Sequence, residues 1–449
     1  MKKQCCHFLE MSILRKIADL LRSLLLPYQF GFVQGHSYLS KHQVLEIKDV
    51  LNSNNREGEE IVSKYEKQMT SSIGNGYGIS FAAGRMAFYT LMKALGIGEG
   101  DEVILPGFTC SVMPNAVWRT GAKPVFADID SETFGSSAEG IEKRITSRTK
   151  IIVAQHSFGI PCNIQEIVEL GKKKGHFVLE DCALTLDSAI RGIKAGNWAD
   201  AAIFSTDRTK PINTLIGGFL FTKDESLYNK IKGLPVNLPQ LEKDHQERLY
   251  KRFLFELKYY MPENYPRGVF LSHFYSIKGK LKLDNKSTFL DSDYTKRPSA
   301  VRNYPYPAKF PPFLAQLGLF ELERWNNEKQ RRKNLLRRYL NIVGQSGYDT
   351  HMPKAYLDHD LDIVPLRFVF KFPNSGKLLK KMEEFIDVNS IWFRTPVICS
   401  PGGPESLGYI RGSCRIAEET GKAIINWPCV IPENWETRLM DVFEKVLND

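Results

Sequence analysis

KIIVAQHSFGIPCNIQEIVELGKKKGHFVLED, residues 150–181, contains a complete strand, helix and strand. Its two ends, KIIVAQH (150–156) and HFVLED (176–181), are short apolar runs of the kind found in buried strands. The segment between them, IQEIVELGKKKG (164–175), has a helical pattern of apolar and charged residues. This order of strand, helix and strand predicts a parallel sheet covered by helices.

The same alternation continues on both sides of this stretch. Helix-like segments such as SVMPNAVWRTG (111–121) separate further strand candidates, which are EVILP (102–106), KPVFADI (123–129), AAIFS (201–205) and GGFLFT (217–222). The sequence therefore predicts an α/β fold with a mostly parallel sheet and helices on both faces. In such sheets ligands bind outside the carboxyl ends of the strands, so we expect the functional residues there.

Other parts of the chain depart from this alternation. Residues 225–310 are rich in basic and aromatic residues, which favours an insertion or a helical cover over a binding site for a phosphate-rich polymer. Residues 313–343 indicate a long amphipathic helix, continuous or broken, and the pattern changes again beyond residue 350. We expect an N-terminal helical extension (1–39), a large α/β domain (40–310), and a long helix with a small α+β domain (311–449).

The N-terminal extension contains the amphipathic pattern FLEMSILRKIADLLRSLLLPYQFGF (8–33). Charged residues interrupt it too often for a membrane span or for the apolar stretch of a signal peptide. The favoured interpretation is a helix packed on its own domain or on a partner subunit. Peripheral membrane contact through this helix, helped by Lys2, Lys3 and the Cys5–Cys6 pair, is the alternative.

Composition limits the classes of partner. The 449 residues include 61 Lys and Arg against 51 Asp and Glu, a formal net charge of +10, which favours anionic ligands without selecting one. The chain has no nucleic-acid-binding signature, so we expect no nucleic-acid partner. Its eight cysteines include no C-x-x-C pair, and no histidine spacing indicates a zinc site. We therefore expect free thiols, no metal and a cytoplasmic protein.

Candidate functional residues lie at the ends of the predicted strands. Asp181 closes HFVLED, Ser205 closes AAIFS, and Lys210 follows in a short turn before a pair of glycines. Gly84 and Arg85 open an apolar helix directly after another strand-like run. Backbone N–H groups at such a helix start, next to an arginine, favour the binding of a phosphate.

Together these residues match the needs of one cofactor. A lysine that attacks an aldehyde needs a partly deprotonated amine, which burial and nearby positive charge promote. An acid is needed to keep a ring nitrogen protonated, and a phosphate needs amide and hydroxyl donors. Pyridoxal 5'-phosphate uses all of these groups, whereas a lone lysine in a turn is by itself a solvated surface residue.

The region from about 40 to 225 resembles the large domain of the DegT/StrS-type sugar aminotransferases, a pyridoxal-phosphate family of fold type I. The similarity runs almost continuously through residues 94–130. It includes HSFGIPCNI (156–164), VLEDCA (178–183) and FSTDRTK (204–210), and the segment 414–447 resembles the last helices of the family.

The resemblance implies a role for each candidate residue. Lys210 would bind the cofactor covalently and move the substrate proton, and Asp181 would pair with the pyridine nitrogen. The other implied cofactor contacts are Gly84, Arg85 and Ser205 at the phosphate, His156 near the ring or the substrate, and Cys110 where an aromatic residue usually stacks on the ring.

Several positions depart from the pattern of the family. Ala83, Gly84 and Arg85 replace Ser-Gly-Thr, and Leu184 replaces a His or Gln. PAKF (307–310) stands where an Asn-Tyr-Arg stretch reaches the phosphate of the neighbouring subunit, with Lys309 as the substitute. These departures indicate a divergent member.

The resemblance implies an aminotransferase that moves an amino group, from glutamate in the first instance, to a keto group of a nucleotide-linked sugar or related glycan precursor. It also implies a homodimer. One alternative is a pyridoxal-phosphate enzyme with another reaction or acceptor, although Lys210 argues against a dehydratase, in which His replaces the lysine. The other is a catalytically silent relative that serves as a membrane-associated scaffold.

Overall fold

The computed structural model describes residues 30–53, 55–233, 238–280 and 304–448. The strands in these residues are β1 (Tyr77–Phe81), β2 (Glu102–Pro106), β3 (Lys123–Ala127), β4 (Thr149–Gln155), β5 (Phe177–Asp181), β6 (Ala189–Ile190), β7 (Ile193–Lys194), β8 (Ala201–Ser205), β9 (Gly218–Thr222), β10 (Leu361–Asp362), β11 (Arg367–Lys371) and β12 (Ile424–Pro428). The α-helices are α1 (Lys41–Asn52), α2 (Asn55–Ile73), α3 (Gly84–Ala94), α4 (Val112–Thr120), α5 (Ala138–Glu142), α6 (Ile164–Lys174), α7 (Glu225–Gly233), α8 (Lys243–Tyr259), α9 (Tyr265–Lys280), α10 (Pro312–Gln345), α11 (Ser375–Met382), α12 (Arg415–Ala423) and α13 (Glu436–Asn448).

A seven-stranded sheet in the order β1-β9-β8-β5-β4-β2-β3 organises the larger part of the chain. The pairs β2 with β3, β2 with β4, β4 with β5 and β5 with β8 are parallel. Strand β9 runs antiparallel to both of its neighbours, β1 and β8. The α/β fold with a mostly parallel sheet is therefore confirmed, and β2 and β8 have the predicted bounds.

Short apolar runs form the central strands because both faces of this sheet are covered. In β2, Val103 and Leu105 pack into one hydrophobic core, while Ile104 packs into a second core. In β4, Val153 and Ile152 are divided between the same two cores. Successive side chains of a strand point to opposite faces, so the two cores lie on the two sides of the sheet.

Helices cover the sheet where the sequence departs from the strand and helix alternation. Helix α10 runs unbroken through 34 residues and packs against α1, α2 and α13. The segment 225–280 forms α7, α8 and α9 in its described residues, and α8 buries Leu249, Phe253 and Glu256. A helical cover, one of the two favoured interpretations of this region, agrees with these residues.

A small C-terminal sheet pairs β11 with β12 in antiparallel register. Strand β12 was not predicted, because its residues resemble a turn between helices. SGKLLKKMEEFIDV (375–388) has a helical pattern over its whole length, but α11 ends at Met382, with Glu383 at its C-cap. Strands β6 and β7 also went unpredicted, since two residues carry no detectable periodicity. The division into domains at 39/40 and 310/311 stays a prediction.

The amphipathic segment 8–33 lies outside the described residues except for its last four. Phe30 pairs with Ile386 in an isolated parallel bridge, and its N–H donates to the Phe385 carbonyl at 3.1 Å. No helix in the described ranges combines the length and apolar character needed to cross a membrane.

Candidate active site

The register of the sheet brings the predicted site residues to one edge. Asp181, the last residue of β5, pairs with Gln155 on one side and with Ile203 of β8 on the other. His156 directly follows β4, and Ser205 ends β8. Because these strands are parallel, their carboxyl ends lie side by side, as expected for a ligand site.

Lys210 lies half-buried in the turn between β8 and β9. Its backbone N–H donates to the Asp207 carbonyl at 2.9 Å, and its Nζ lies 4.6 Å from the centre of the Trp392 ring. Among the described residues, no hydrogen bond holds Nζ. Burial lowers the pKa of the Lys210 amine below its ordinary value, although Asp207, Cys110 and Asp181 act in the opposite direction. The amine is thus more readily deprotonated than a surface lysine.

The glycine pair that follows this turn is required by close contacts. A side chain on Gly217, at φ 152°, would place its Cβ 2.1 Å from the Thr206 hydroxyl. A Cβ on Gly218 would lie 2.2 Å from the Gly84 nitrogen. Both positions therefore need glycine, and the second lets β9 touch the start of helix α3.

The start of α3 has the features of a phosphate cradle. Ala83 occupies the N-cap position and makes no side-chain hydrogen bond to the helix, so no side chain caps its first amides. A Cβ placed on Gly84 would lie 3.5 Å from the Ser205 Cβ, so these two candidates are neighbours. Arg85 adds a partly exposed guanidinium, and its carbonyl accepts a hydrogen bond from Tyr306 at 3.2 Å. An anion is stabilised at such a position.

Asp181 is buried and only partly hydrogen-bonded. Its Oδ1 accepts the Ala183 N–H at 2.9 Å, while no partner for Oδ2 is found within the described ranges. Burial raises the pKa of Asp181, against the effects of the Ala183 hydrogen bond, Lys210 and His156. A cationic N–H donor at Oδ2 would satisfy this carboxylate and favour its charged form.

His156 supports Asp181 and has no free ring nitrogen. Its Nδ1 accepts the Cys162 N–H at 3.0 Å, which assigns the proton to Nε2, and Nε2 donates to Glu180 Oε2 at 3.0 Å. The backbone N–H of His156 donates to the Asp181 carbonyl at 3.1 Å. Both ring nitrogens are engaged by residues other than Asp181.

Glu180 is a member of this cluster that the sequence reasoning missed. Besides His156, its two oxygens accept the N–H groups of Gly196 at 2.7 Å, Trp198 at 2.7 Å and Ala199 at 3.0 Å. The ligand atoms of His156, Glu180 and Cys182 lie within 4.8 Å of one another, but the hydrogen bonds already use those of His156 and Glu180. Neighbouring residues of a strand point to opposite faces of the sheet. The sequence alone could therefore have predicted that Glu180 and Asp181 lie on opposite faces.

Cys110 meets a second thiol from the C-terminal part of the chain. Cys110 and Ile398 form a parallel bridge, supported by the Ser111 N–H donating to the Ile398 carbonyl at 2.9 Å. A side-chain hydrogen bond with Cys399 lowers the pKa of Cys110 to about 6, helped by the Val112 backbone, Lys210 and Arg85 and opposed by burial. Cys399 and Trp392 had no signal in the sequence, because they are distant from the strand ends along the chain.

Two of the departures from the family pattern occupy defined places. Leu184 is buried in the main hydrophobic core. Lys309 is half-exposed, with its Nζ 3.7 Å from Glu59 Oε1, and its backbone N–H donates to the Pro239 carbonyl at 2.9 Å. No described contact joins Lys309 to Lys210 or Asp181 within this chain.

Comparison with known proteins agrees with this fold. Residues 38–261 match the DegT/DnrJ/EryC1/StrS aminotransferase family. A GDP-perosamine synthase of Escherichia coli O157:H7 is 39% identical over 169 residues, which cover 38% of this chain and 46% of the relative. A UDP-N-acetyl-3-dehydro-alpha-D-glucosamine 3-aminotransferase of Acidithiobacillus ferrooxidans is 37% identical over 170 residues, covering 38% and 46%.

The match to these curated relatives spans about half of their length. Similarity of fold extends further. The solved aminotransferase from Psychrobacter cryohalolentis superposes with a TM-score of 0.68 at 18% identity, covering 91% of this chain and 97% of the other.

Proposed function

Because the chain belongs to the DegT/DnrJ/EryC1/StrS aminotransferase family, we propose that it is a pyridoxal 5'-phosphate-dependent aminotransferase that acts on a nucleotide-linked keto sugar. The observation that carries this proposal is the amine of Lys210, which makes no hydrogen bond to a described residue and whose pKa is lowered by burial. That amine shares its surroundings with Asp181 and Cys110 at the carboxyl edge of the sheet.

The residues at this edge fit the three parts of the cofactor. The uncapped start of α3 at Gly84, with Arg85 and Ser205, suits the phosphate. Asp181 suits the ring nitrogen, because its side chain is buried and its Oδ2 has no hydrogen-bond partner among the described residues. Lys210 would hold the aldehyde carbon. When bound, pyridoxal phosphate supplies an electron sink for the carbon that carries the amino group.

Each residue then has a defined task in moving protons. The Nζ of Lys210, when neutral, would carry a proton between the α-carbon of the amino donor and the cofactor. His156 donates its backbone N–H to the backbone carbonyl of Asp181 and its ring donates to Glu180, so it holds the ends of β4 and β5 together. Cys110 would lie against the cofactor ring, where its thiol replaces an aromatic side chain.

The names of the relatives support a sugar acceptor. Both are named for amino sugar synthesis, one linked to GDP and the other to UDP. The net charge of +10 suits a substrate with an anionic nucleotide. As parts of the same proposal, glutamate is the amino donor, and the protein works as a cytoplasmic homodimer in polysaccharide synthesis. The segment 8–33 packs on its own domain or on a partner subunit, or it contacts the membrane surface.

The test begins with the colour of the purified protein. We expect a yellow protein whose absorbance is lost on borohydride reduction, and a Lys210→Ala variant that stays colourless. Lys172→Ala is the matched control, because Lys172 is exposed in the last turn of helix α6. A colourless wild-type protein that does not respond to added pyridoxal phosphate would favour the silent scaffold.

A second measurement separates transamination from other reactions. On addition of glutamate the yellow colour should be lost as 2-oxoglutarate is released. A yellow protein that releases no keto acid with glutamate or with any other common amino acid would contradict the proposed reaction while keeping the cofactor.

A further inference from the structure

The thiols of Cys110 and Cys399 meet where the loop after β2 contacts the C-terminal part of the chain. The two backbones are joined by hydrogen bonds on both sides of Cys110. The Ile398 N–H donates to the Thr109 carbonyl at 2.9 Å, and the Ser111 N–H donates to the Ile398 carbonyl at 2.9 Å. Cys110 and Ile398 form a parallel bridge, and Cys399 follows directly. These bonds fix the two cysteines as neighbours.

The spacing of the two backbones suits a disulfide. Paired strands lie about 4.8 Å apart and rise about 3.3 Å per residue, which puts the Cα atoms of Cys110 and Cys399 about 5.8 Å apart. Disulfides join Cα atoms that are about 4.4–6.8 Å apart. Cys399 leaves the strand conformation, with φ 66°, and its side chain hydrogen-bonds to that of Cys110. A left-handed backbone is uncommon outside glycine, so the surroundings hold Cys399 in this place.

The start of helix α4 supports a thiolate at Cys110. The helix begins at Val112, and its N-cap residue Ser111 makes no side-chain hydrogen bond to it. The Cys399 thiol donates a hydrogen bond to the Cys110 sulfur, and the Val112 N–H donates another. Together they lower the pKa of Cys110 to about 6, against the effect of burial. A thiolate at a helix N-terminus is a reactive nucleophile.

Three other cysteines of the described chain are held as thiols. Burial raises the pKa of Cys182 and of Cys429 to about 12, and that of Cys414 to about 11. All three are buried, whereas Cys110 is partly exposed and Cys399 is exposed. Oxidation of a cysteine selects an accessible thiolate, and a second thiol beside it directs the product toward a disulfide.

We propose that Cys110 and Cys399 are a peroxide-sensitive pair that closes to a disulfide. The Cys110 thiolate attacks one oxygen of hydrogen peroxide, the O–O bond breaks, and the departing hydroxide takes up a proton to become water. The sulfenic acid formed at Cys110 then reacts with the Cys399 thiol. The S–S bond forms as the S–O bond breaks, and a second water leaves. The two thiols lose two electrons, which reduce the peroxide.

The disulfide would change the charge beside Lys210. The Cys110 thiolate raises the pKa of the Lys210 amine, in opposition to burial. A disulfide carries no charge, so oxidation would remove this anionic neighbour. This consequence bears on the proposed function, but the formation of the bond does not depend on it.

The test treats the purified full chain with hydrogen peroxide at pH 7 and analyses its tryptic peptides by mass without reduction. The wild type should yield two peptides joined through Cys110 and Cys399, and dithiothreitol should separate them. Cys399→Ser should stop at a sulfenic acid on Cys110, which dimedone traps. Cys110→Ser should slow the oxidation of Cys399 at least about tenfold, because the thiolate is lost. The matched control, Cys414→Ser at a buried thiol, should form the linkage like the wild type.

Several results would overturn the proposal. Wild-type protein in which peroxide oxidises other cysteines and leaves Cys110 and Cys399 as free thiols would contradict it. A sulfinic acid on Cys110 without the linkage would show that Cys399 does not reach the sulfenic acid. A linkage of Cys399 to a second copy of the chain, seen as a dimer on a gel without reductant, would contradict the pairing. These measurements on the wild type do not require any variant to fold.

Failure of the proposed function and failure of this inference are distinguishable, because peptide masses do not depend on the colour of the protein. A colourless protein that joins Cys110 to Cys399 would contradict the cofactor proposal alone. A yellow protein in which peroxide never joins them would contradict the disulfide alone.

Discussion

Two cations in the same turn, Arg208 and Lys210, have opposite surroundings. Arg208 lies 3.1 Å from Glu256 of α8 and donates a hydrogen bond to Tyr260, and Arg252 contacts the same two partners. Lys210 instead lies against Trp392, with its Nζ 4.6 Å from the ring centre, and no described residue makes a hydrogen bond to Nζ. The turn is anchored by a buried cluster of paired charges at Arg208 and presents an amine without a hydrogen bond at Lys210. Stability and reactivity are thus assigned to separate residues of one loop.

The cluster behind the turn extends to the N-terminal side of the domain. His36 lies 3.9 Å from Glu256 and 3.6 Å from Glu321, between the two carboxylates. Glu321 also accepts the Tyr38 hydroxyl and lies 3.6 Å from Arg324. Removal of one member would leave the others buried without a partner, which is costly. Substitutions in the charge cluster should therefore change mainly the stability of the fold, and substitutions at Lys210 should change mainly the activity.

The largest effect is expected for Lys210→Gln. The rate of the half-reaction with glutamate should fall at least about 10³-fold, because both the cofactor attachment and the proton transfer are lost. The melting temperature should hold or rise, since the substitution removes a partly buried charge. A clear loss of thermal stability would mean that Lys210 belongs to the anchoring side of the turn.

Glu256→Gln should produce the opposite result. It leaves Arg208 and Arg252 without their shared carboxylate, so we expect a loss of about 3–5 kcal/mol in the free energy of unfolding. Denaturant titration measures this loss, and Glu247→Gln, exposed on the same helix, is the control. A loss no larger than that of the control would show that the ion pairs of the cluster do not stabilise the fold.

The same cluster predicts a loss of stability in acid. The arginines Arg208 and Arg252 hold the pKa of Glu256 below its ordinary value of 4.5 despite burial, and Arg324 with His36 and Tyr38 lowers that of Glu321 to about 2. A carboxylate with a depressed pKa stabilises the fold above its unfolded pKa. Stability should therefore decline as the pH falls from about 4.5 toward 2. A melting temperature that is flat across this range would contradict the assignment.

Asp181→Asn changes the proposed partner of the ring nitrogen and leaves the amine of Lys210 in place. The half-reaction should slow by about ten- to a hundredfold, because the amide cannot supply the charge-assisted bond to the ring nitrogen. The yellow colour should persist, which distinguishes this variant from Lys210→Gln. An unchanged rate would exclude Asp181 as the partner of the ring.

The smallest effect concerns the thiols near Lys210. The pKa of Cys110 is lowered to about 6, and that of Cys399 is raised by the same hydrogen bond. Cys110 should react with iodoacetamide at pH 7 faster than Cys399, although Cys399 is the more exposed. Cys399→Ser should move the midpoint of the Cys110 reaction to higher pH. Faster labelling of Cys399, followed by peptide mass analysis, would contradict the assignment.

Around Lys210, the residues that lie at strand ends or at the start of a helix could be predicted from the sequence. Asp181, Ser205 and the start of α3 are fixed by strand ends and by a glycine before an apolar helix, so their proximity follows from a parallel sheet. The double glycine after Lys210 could also be noticed, although its reason, the contact between Gly218 and Gly84, needs the folded chain.

Residues contributed from far along the chain could not be predicted. Trp392 and Cys399 lie in irregular segments with no periodicity, and their contacts with Lys210 and Cys110 depend on how the small sheet packs. Glu256 lies on a helix whose charged and aromatic composition resembles a solvated surface. Its burial against Arg208 depends on a pairing of charges that no local pattern encodes.

Helix α8 has a practical consequence for protein engineering. The region that interrupts the regular fold looks like an appendage that could be removed to obtain a shorter protein. Its Glu256 nevertheless neutralises an arginine that stands two residues before Lys210. Excision of this helix would remove the counter-charge from the loop that carries the Lys210 amine, so a minimal version of the protein has to keep it.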